Sequence, residues 1–316
     1  MNDGRVINWL LKGDPSIRWQ VMRDLTGAKK SEYLAERKKI AKEGWGKRLL
    51  SYQKPDGGWD GIYTYKWTST TYTMLLLRRM GLEPSNLQAQ KGCRVLMEKG
   101  FYRDGGINFF KSLDHAETCV TGMVLSILSH FRYGDKRIHA LSEYLLDQQM
   151  MDGGWNCESY NGATHSSLHT TLSVLEGLRE YEKNFNPKTK NIRIAQQHAM
   201  EFLLAHKLYR SHRTGAIIDR KMTMFSFPPR WVYDVMKALD YLRDFDARYS
   251  SQYEDAMGLL QKKRNRNGTW NTQNRHTGKT YFEMEKAGKP GRWNTLRALR
   301  ILRWWDRART VSRPAG

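Results

Sequence analysis

One short turn recurs along the chain and constrains its fold more than any other feature. It reads Asp56-Gly57-Gly58-Trp59 at first, Asp152-Gly153-Gly154-Trp155 later and Asn267-Gly268-Thr269-Trp270 last. A degenerate copy, Asp104-Gly105-Gly106-Ile107, lies between the first two, and a weaker one fits at Gly215. Gly57, Gly105 and Gly153 are spaced 48 residues apart. Each full copy follows an apolar helix end that carries a glutamine: Gln53, Gln148-Gln149 and Gln261. A unit of this length cannot bury its apolar face alone, so successive units must stack.

Between turns the sequence reads as two amphipathic helices. The helix after each turn is rich in Leu, Met and Val, over residues 71–80, 118–128, 170–178, 231–242 and 293–305. The helix before each turn is more charged. Apolar helices alternating with charged ones predict an inner and an outer ring of helices, all-α, in about six hairpins. The repeats span roughly residues 45–305 of one domain over 1–316. Helices within residues 5–26, broken at Gly13-Asp14-Pro15, would pair with the final helix and close the ring. Residues 182–191 read as a polar loop.

No apolar run approaches the roughly 18 residues that cross a bilayer. The start, Met1-Asn2-Asp3-Gly4, lacks the basic end of a signal peptide, so a cytoplasmic protein is expected. Three cysteines in 316 residues make no disulfide framework; they are expected as reduced thiols, some able to bind metal. The formal charge is +21, from 53 Lys and Arg against 32 Asp and Glu. That excess fits solvated outer helices, a basic cavity for an anionic substrate such as a diphosphate, or attraction to an anionic surface. No nucleic-acid-binding motif is present, so no nucleic-acid partner is expected, and peripheral membrane contact stays open.

Residues able to do chemistry collect where the inner helices start. Trp67 and Tyr72 would wall a central cavity or pack between repeats. The stretch 114–123 holds Asp114, His115, Glu117 and Cys119 at a helix start, where the helix dipole favours anions. Aligning Val124-Leu125 with Val174-Leu175 sets Cys119 against His169 on the next inner helix. Glu117, Cys119 and His169 then make three ligands and an open position, the pattern of a catalytic zinc, with Cys157 and His165 in reserve. A buried cysteine and a hydrogen-bonded histidine is the other reading. Arg213, Arg230 and Arg292 could grip an anion, with Trp231, Tyr233 and Trp293 as cavity wall and Asp234 as a nearby acid. Alternatively, Arg stacks on Trp to lock repeats together.

The Gln…Gly-Gly-Trp turn resembles the QW repeat of squalene–hopene and oxidosqualene cyclases. The chain looks like the α/α toroid of the terpenoid cyclase and protein prenyltransferase β-subunit superfamily. Residues Asp114 to Thr118 resemble the cyclases' Asp-x-Asp-Asp-Thr acid motif, but Ala116 stands where the protonating acid would be. The Asp-Asp-x-x-Asp motif of ionising terpene synthases is absent. Glu117-Thr118-Cys119 resembles the zinc-binding Asp-x-Cys of the prenyltransferases, and His169-Thr170 resembles their zinc His-Thr. The resemblance implies zinc as cofactor and leaves a protein partner open.

The leading expectation is therefore a toroid enzyme, metal-dependent, acting on a hydrophobic, isoprenoid-like molecule with an anionic end. A second is a carbohydrate-active toroid using paired carboxylates, Asp114 with Glu117 or Asp234 with Glu283. A third is a binding protein that kept the fold and lost the acid.

Overall fold

The indole of each repeated tryptophan is stapled to the helix before its turn. In the computed structural model, which describes residues 3–64, 66–185 and 190–312, Trp155 Nε1 donates to the Leu145 carbonyl at 2.7 Å. Trp59 does the same to Leu49 at 2.9 Å, and Trp270 to Leu260 at 2.8 Å. The backbone N–H beside each indole donates to a threonine of the following helix: Trp59 to Thr70, Trp155 to Thr171 and Trp270 to Thr295, each at 3.0 Å. Ile107 keeps this bond, to Thr121 at 2.9 Å, and has no indole to make the other. Gln53 and Gln149 amides close their turns on the Gly57 and Gly153 carbonyls at 2.8 and 2.7 Å. The middle of the turn needs a left-handed residue; Gly153 has φ 89, and a Cβ there would sit 2.7 Å from the His198 carbonyl oxygen. The repeat is thus a joint tying outer helix, turn and inner helix together. Each such bond contributes about 1 kcal/mol.

The helices are α1 (Asp3–Leu11), α2 (Pro15–Asp24), α3 (Lys30–Lys38), α4 (Gly44–Leu50), α5 (Thr70–Met80), α6 (Leu87–Gly100) and α7 (Thr118–His130). They continue as α8 (Arg137–Asp147), α9 (Leu168–Phe185), α10 (Asn191–Ala205), α11 (Val235–Phe245), α12 (Glu254–Lys262) and α13 (Arg292–Ser312). The one sheet among the described residues is a two-residue ribbon, Trp270–Asn271 with Pro290–Gly291. The expected inner helices are all present. The fourth starts at Val235 rather than at residue 231, because Asp234 caps it and Arg230 has φ 55, outside the helical region. Pro228-Pro229 lies in the preceding loop. Helix α9 runs on to Phe185, so the loop expected at 182–191 is shorter; residues 186–189 lie outside the described ones.

The chain divides into two compact units. One holds Arg48–Leu203 with Gly278–Tyr281. Its centre is the pair α7 and α9, which touch backbone to backbone. A Cβ on Gly122 would lie 2.8 Å from the Ser173 carbonyl oxygen, and one on Gly177 would lie 2.5 Å from that of Gly122. Val120, Val124, Leu172 and Leu175 fill the rest of this seam and are fully buried. At its far end Arg78 and Arg79 of α5 pair with Glu176 and Glu180 of α9 at 2.9–3.4 Å.

The other unit holds the described parts of Met1–Lys47, Leu204–Thr277 and Phe282–Gly316. Here α13 packs on α11 and α2. Arg300 of α13 donates to Gln20 at 2.8 Å and meets Asp24 at 3.1 Å, both on α2. Asp240 of α11 receives Arg243 at 2.9 Å, Arg300 at 3.5 Å and Arg297 at 3.7 Å.

Candidate functional site

The first unit gathers most of the chemistry around the N-termini of α7 and α9. Thr121 and Thr171 accept the same turn bond, which puts Cys119 and His169, each two residues earlier, at equivalent positions. The partner the structure gives Cys119 is Cys157, on the short 3₁₀ turn Cys157–Asn161. The Cys119 backbone N–H donates to the Cys157 sulfur at 3.2 Å, and the Thr170 hydroxyl lies 3.5 Å from it. The two thiols also share a hydrogen bond. That bond, helped by Thr170 and the Cys119 N–H, holds Cys157 below the usual thiol range against the opposing effect of burial. The same bond and burial push Cys119 up.

Glu117, at the N-cap of α7, does not cap the helix with its carboxylate. Its Oε2 is buried and has no hydrogen-bond partner among the described residues. Burial raises its pKa, His115 opposes this, and the charge of Glu158 adds to it. Aromatic rings stand beside it. Tyr63 has its pKa raised first by burial and then by Cys119, with Glu117 and Cys157 adding, so its hydroxyl lies within electrostatic reach of all three. Tyr72 bonds Tyr63 hydroxyl to hydroxyl at 3.0 Å, Phe109 and Phe110 pack on Tyr63, and Trp67 lies edge-on to Tyr72 with ring centres 4.8 Å apart. Gly278 leaves room for the Trp67 indole: a Cβ there would lie 2.6 Å from its Nε1. The rings of His115 and Tyr160 stack at 3.7 Å.

The remaining candidates of this unit are Asp114, His165 and His169. Asp114 is 89 % exposed and pairs with its neighbour His115 at 3.0 Å. His165 is exposed, and only its carbonyl is engaged, by Asn156 at 2.7 Å. His169 is half-buried in the first turn of α9. Among the described residues no group of three or more His, Cys, Asp or Glu side chains is placed to hold a metal ion. The donors as they stand do not fit a three-ligand zinc centre.

In the second unit the expected residues serve the backbone. Asp234 is buried at the N-cap of α11, where its two oxygens accept from the Lys237 N–H at 2.8 Å and the Ser226 N–H at 3.3 Å. Burial raises its pKa and Arg297 opposes this. Tyr233 is buried and donates its hydroxyl to the Leu208 carbonyl at 2.5 Å. Trp293 is buried and stacks on Phe227 at 4.7 Å. Arg292 packs over the Trp9 ring at 4.5 Å and donates to the Trp9 carbonyl at 3.2 Å, the Arg-on-Trp lock weighed above. Arg213 is exposed, and Arg230 and Trp231 occupy a surface turn. Arg292 is thus taken up by Trp9, while Arg213 and Arg230 stand in other turns of this unit. Glu283 pairs with Arg275 at 3.5 Å instead of with Asp234.

Sequence reasoning missed three participants. Glu285 accepts from the Arg292 and Trp293 N–H groups at 2.6 and 3.2 Å and so caps α13. Tyr63 and Glu158 had no spacing signal, since both sit on irregular turns before the inner helices.

No protein-family model matches the sequence, and no curated protein matches it at a significant level. Three solved structures are similar in fold. A polysaccharide lyase shares 13 % identity at TM-score 0.50, covering 100 % of both chains. A family 88 glycosyl hydrolase from Bacteroides vulgatus shares 13 % identity at TM-score 0.50, covering 96 % of this chain and 95 % of its own. A type II terpene cyclase from Scytonema shares 15 % identity, covering 94 % and 89 %, at a TM-score of 0.44 that carries no further argument. At these identities the likeness shows the fold alone. The chain has an all-α fold of the α/α-toroid class.

Proposed function

We propose that the chain is an enzyme whose active site lies at the N-termini of α7 and α9, with Glu117 as proton donor to a largely apolar substrate. The observation that carries this is the buried, unpartnered Oε2 of Glu117. A buried carboxyl oxygen without a partner costs stability, so its retention points to a ligand that supplies the partner. Burial keeps the proton on Glu117 to higher pH than on an ordinary glutamate, which suits a general acid. The walls, Tyr63, Tyr72, Trp67, Phe109 and Phe110, favour an apolar substrate of isoprenoid character. The Cys157 thiol, its pKa held below the usual thiol range by the Cys119 hydrogen bond, stands within electrostatic reach of the acid as a candidate nucleophile.

A second reading has its own observation. Glu158 acts on Glu117 electrostatically, which makes a carboxylate pair of the kind that cleaves glycosides, with the tyrosines as sugar-stacking surfaces. Titrating the purified protein with farnesol and, separately, with uronic-acid oligosaccharides, following tyrosine and tryptophan fluorescence, separates the two. Saturable farnesol binding that Glu117→Gln weakens supports the first; oligosaccharide binding alone supports the second; neither ligand binding removes the site from consideration.

A further inference from the structure

A pair of thiols meets at the start of α7, and the proposed reaction uses at most one of them. Cys119 stands in the first turn of α7, and Cys157 opens the 3₁₀ turn Cys157–Asn161. The two share a hydrogen bond and form no disulfide. The Cys119 backbone N–H also reaches the Cys157 sulfur at 3.2 Å, so that sulfur lies against the chain of its partner. Sulfurs in such contact reach bonding geometry without a rearrangement of the fold. Both residues are half-buried, whereas Cys93 lies fully buried on α6.

Which sulfur reacts first follows from the hydrogen bonds. The Cys157 N–H donates to the Thr170 hydroxyl at 3.4 Å, which anchors the turn on α9, and that hydroxyl lies 3.5 Å from the Cys157 sulfur. Three donors thus face this sulfur: the Thr170 hydroxyl, the Cys119 N–H and the Cys119 thiol. Donors so placed favour the thiolate, the form that attacks an oxidant. A reactive sulfur with a second thiol beside it is the arrangement that ends in a disulfide rather than in sulfinic acid.

We infer that Cys157 is a site of reversible oxidation by peroxide, with Cys119 as the thiol that resolves it into an intramolecular disulfide. The Cys157 sulfur attacks one peroxide oxygen. The O–O bond breaks, and the hydroxide that leaves becomes water with the proton Cys157 gave up. Cys119 then attacks the resulting sulfenic acid at sulfur. The S–O bond breaks, and that hydroxide leaves as water with the Cys119 proton. Peroxide is reduced to water, and the thiol pair is oxidised to one disulfide. The new bond would tie the turn carrying Glu158 and Tyr160 to the N-terminus of α7. The inference uses only the two sulfurs and stands whether or not Glu117 is a proton donor.

Hydrogen peroxide is the probe, given in stoichiometric amount to the whole reduced protein. Digestion without reductant, followed by mass spectrometry, should find the Cys119 and Cys157 peptides joined, lighter by the two thiol hydrogens and parted by dithiothreitol. The undigested protein should keep the mass of a single chain, and Cys93 should stay a free thiol. Cys119→Ser keeps a hydroxyl donor but cannot resolve, so dimedone should trap a sulfenic acid on Cys157. In Cys157→Ser, trapping at Cys119 should be at least about tenfold slower. The wild-type peptide map needs no variant, so the test does not depend on either variant folding. No oxidation of either thiol, sulfinic acid on Cys157 with no joined peptide, a link between chains only, or equally fast trapping at Cys119 would overturn the inference.

Discussion

The backbone N–H of Cys119 points at the sulfur of Cys157, 3.2 Å away. Two thiols that the sequence places 38 residues apart thus meet where α7 and α9 begin. One sulfur receives the donors and the other gives one.

That asymmetry sets an order of reactivity. Iodoacetamide should alkylate Cys157 before Cys119, and both before Cys93, whose thiol is fully buried and pushed up by burial. Cys119→Ala removes the largest influence lowering the Cys157 pKa, so it should slow labelling of Cys157 at neutral pH several-fold. Peptide mass spectrometry over a pH series reads this directly. Faster labelling of Cys119 would contradict the geometry.

The seam between α7 and α9 depends on two glycines. Gly122→Ala should destabilise the protein by about 1–3 kcal/mol, because the added methyl meets backbone that cannot step aside. Gly134→Ala, with open space at its Cβ, should stay within about 0.5 kcal/mol of wild type. Urea unfolding of both variants checks the pair.

Asp240 stands among Arg243, Arg297 and Arg300. Burial disfavours its charge, but these arginines, Arg300 first, hold its pKa well below the usual carboxylate value. A depressed folded pKa gives stability that is present above the unfolded value and lost as pH falls through the folded one. Asp240→Asn should therefore cost about 3 kcal/mol at neutral pH, because it takes one carboxylate from among three buried guanidinium groups. It should also flatten the loss of stability below pH about 4. Thermal unfolding from acid to neutral pH tests both.

Metal content is the fourth expectation. Two sulfurs meet, but among the described residues no group of three such donors is placed to hold a metal ion. Elemental analysis of protein purified without chelator should give zinc far below one equivalent. One equivalent, lost in Cys119→Ala, would mean that Glu117 or His169 moves onto the sulfurs and would replace the acid reading of Glu117.

How much of this was legible in the sequence depends on how local each cause is. The turn repeat was legible because its bonds are local: indole to a carbonyl ten residues back, N–H to the next helix's first turn. It located every inner helix and the equivalence of Cys119 and His169. Around Glu117, Cys157 was legible only as a reserve ligand, and Tyr63 and Glu158 were not legible, since all three lie outside the inner helices with no period to fix where they point. The direction of Arg230 was not legible for a related reason. Equivalent sequence positions share a direction only while the helix continues, and the chain around Arg230 is a turn ending in the Asp234 cap.

The central claim is that Glu117 carries its proton to unusually high pH, and difference infrared spectroscopy tests it most directly. A protonated carboxyl band should persist above the ordinary glutamate titration range and be missing from Glu117→Gln. A raised folded pKa also means that the associated stability is present at low pH and lost as pH rises through the folded value, so the variant should lose less stability over that window. A wild-type minus Glu117→Gln difference band that titrates at or below the ordinary value, or no such difference band beside those of Asp234 and Glu285, would contradict the account.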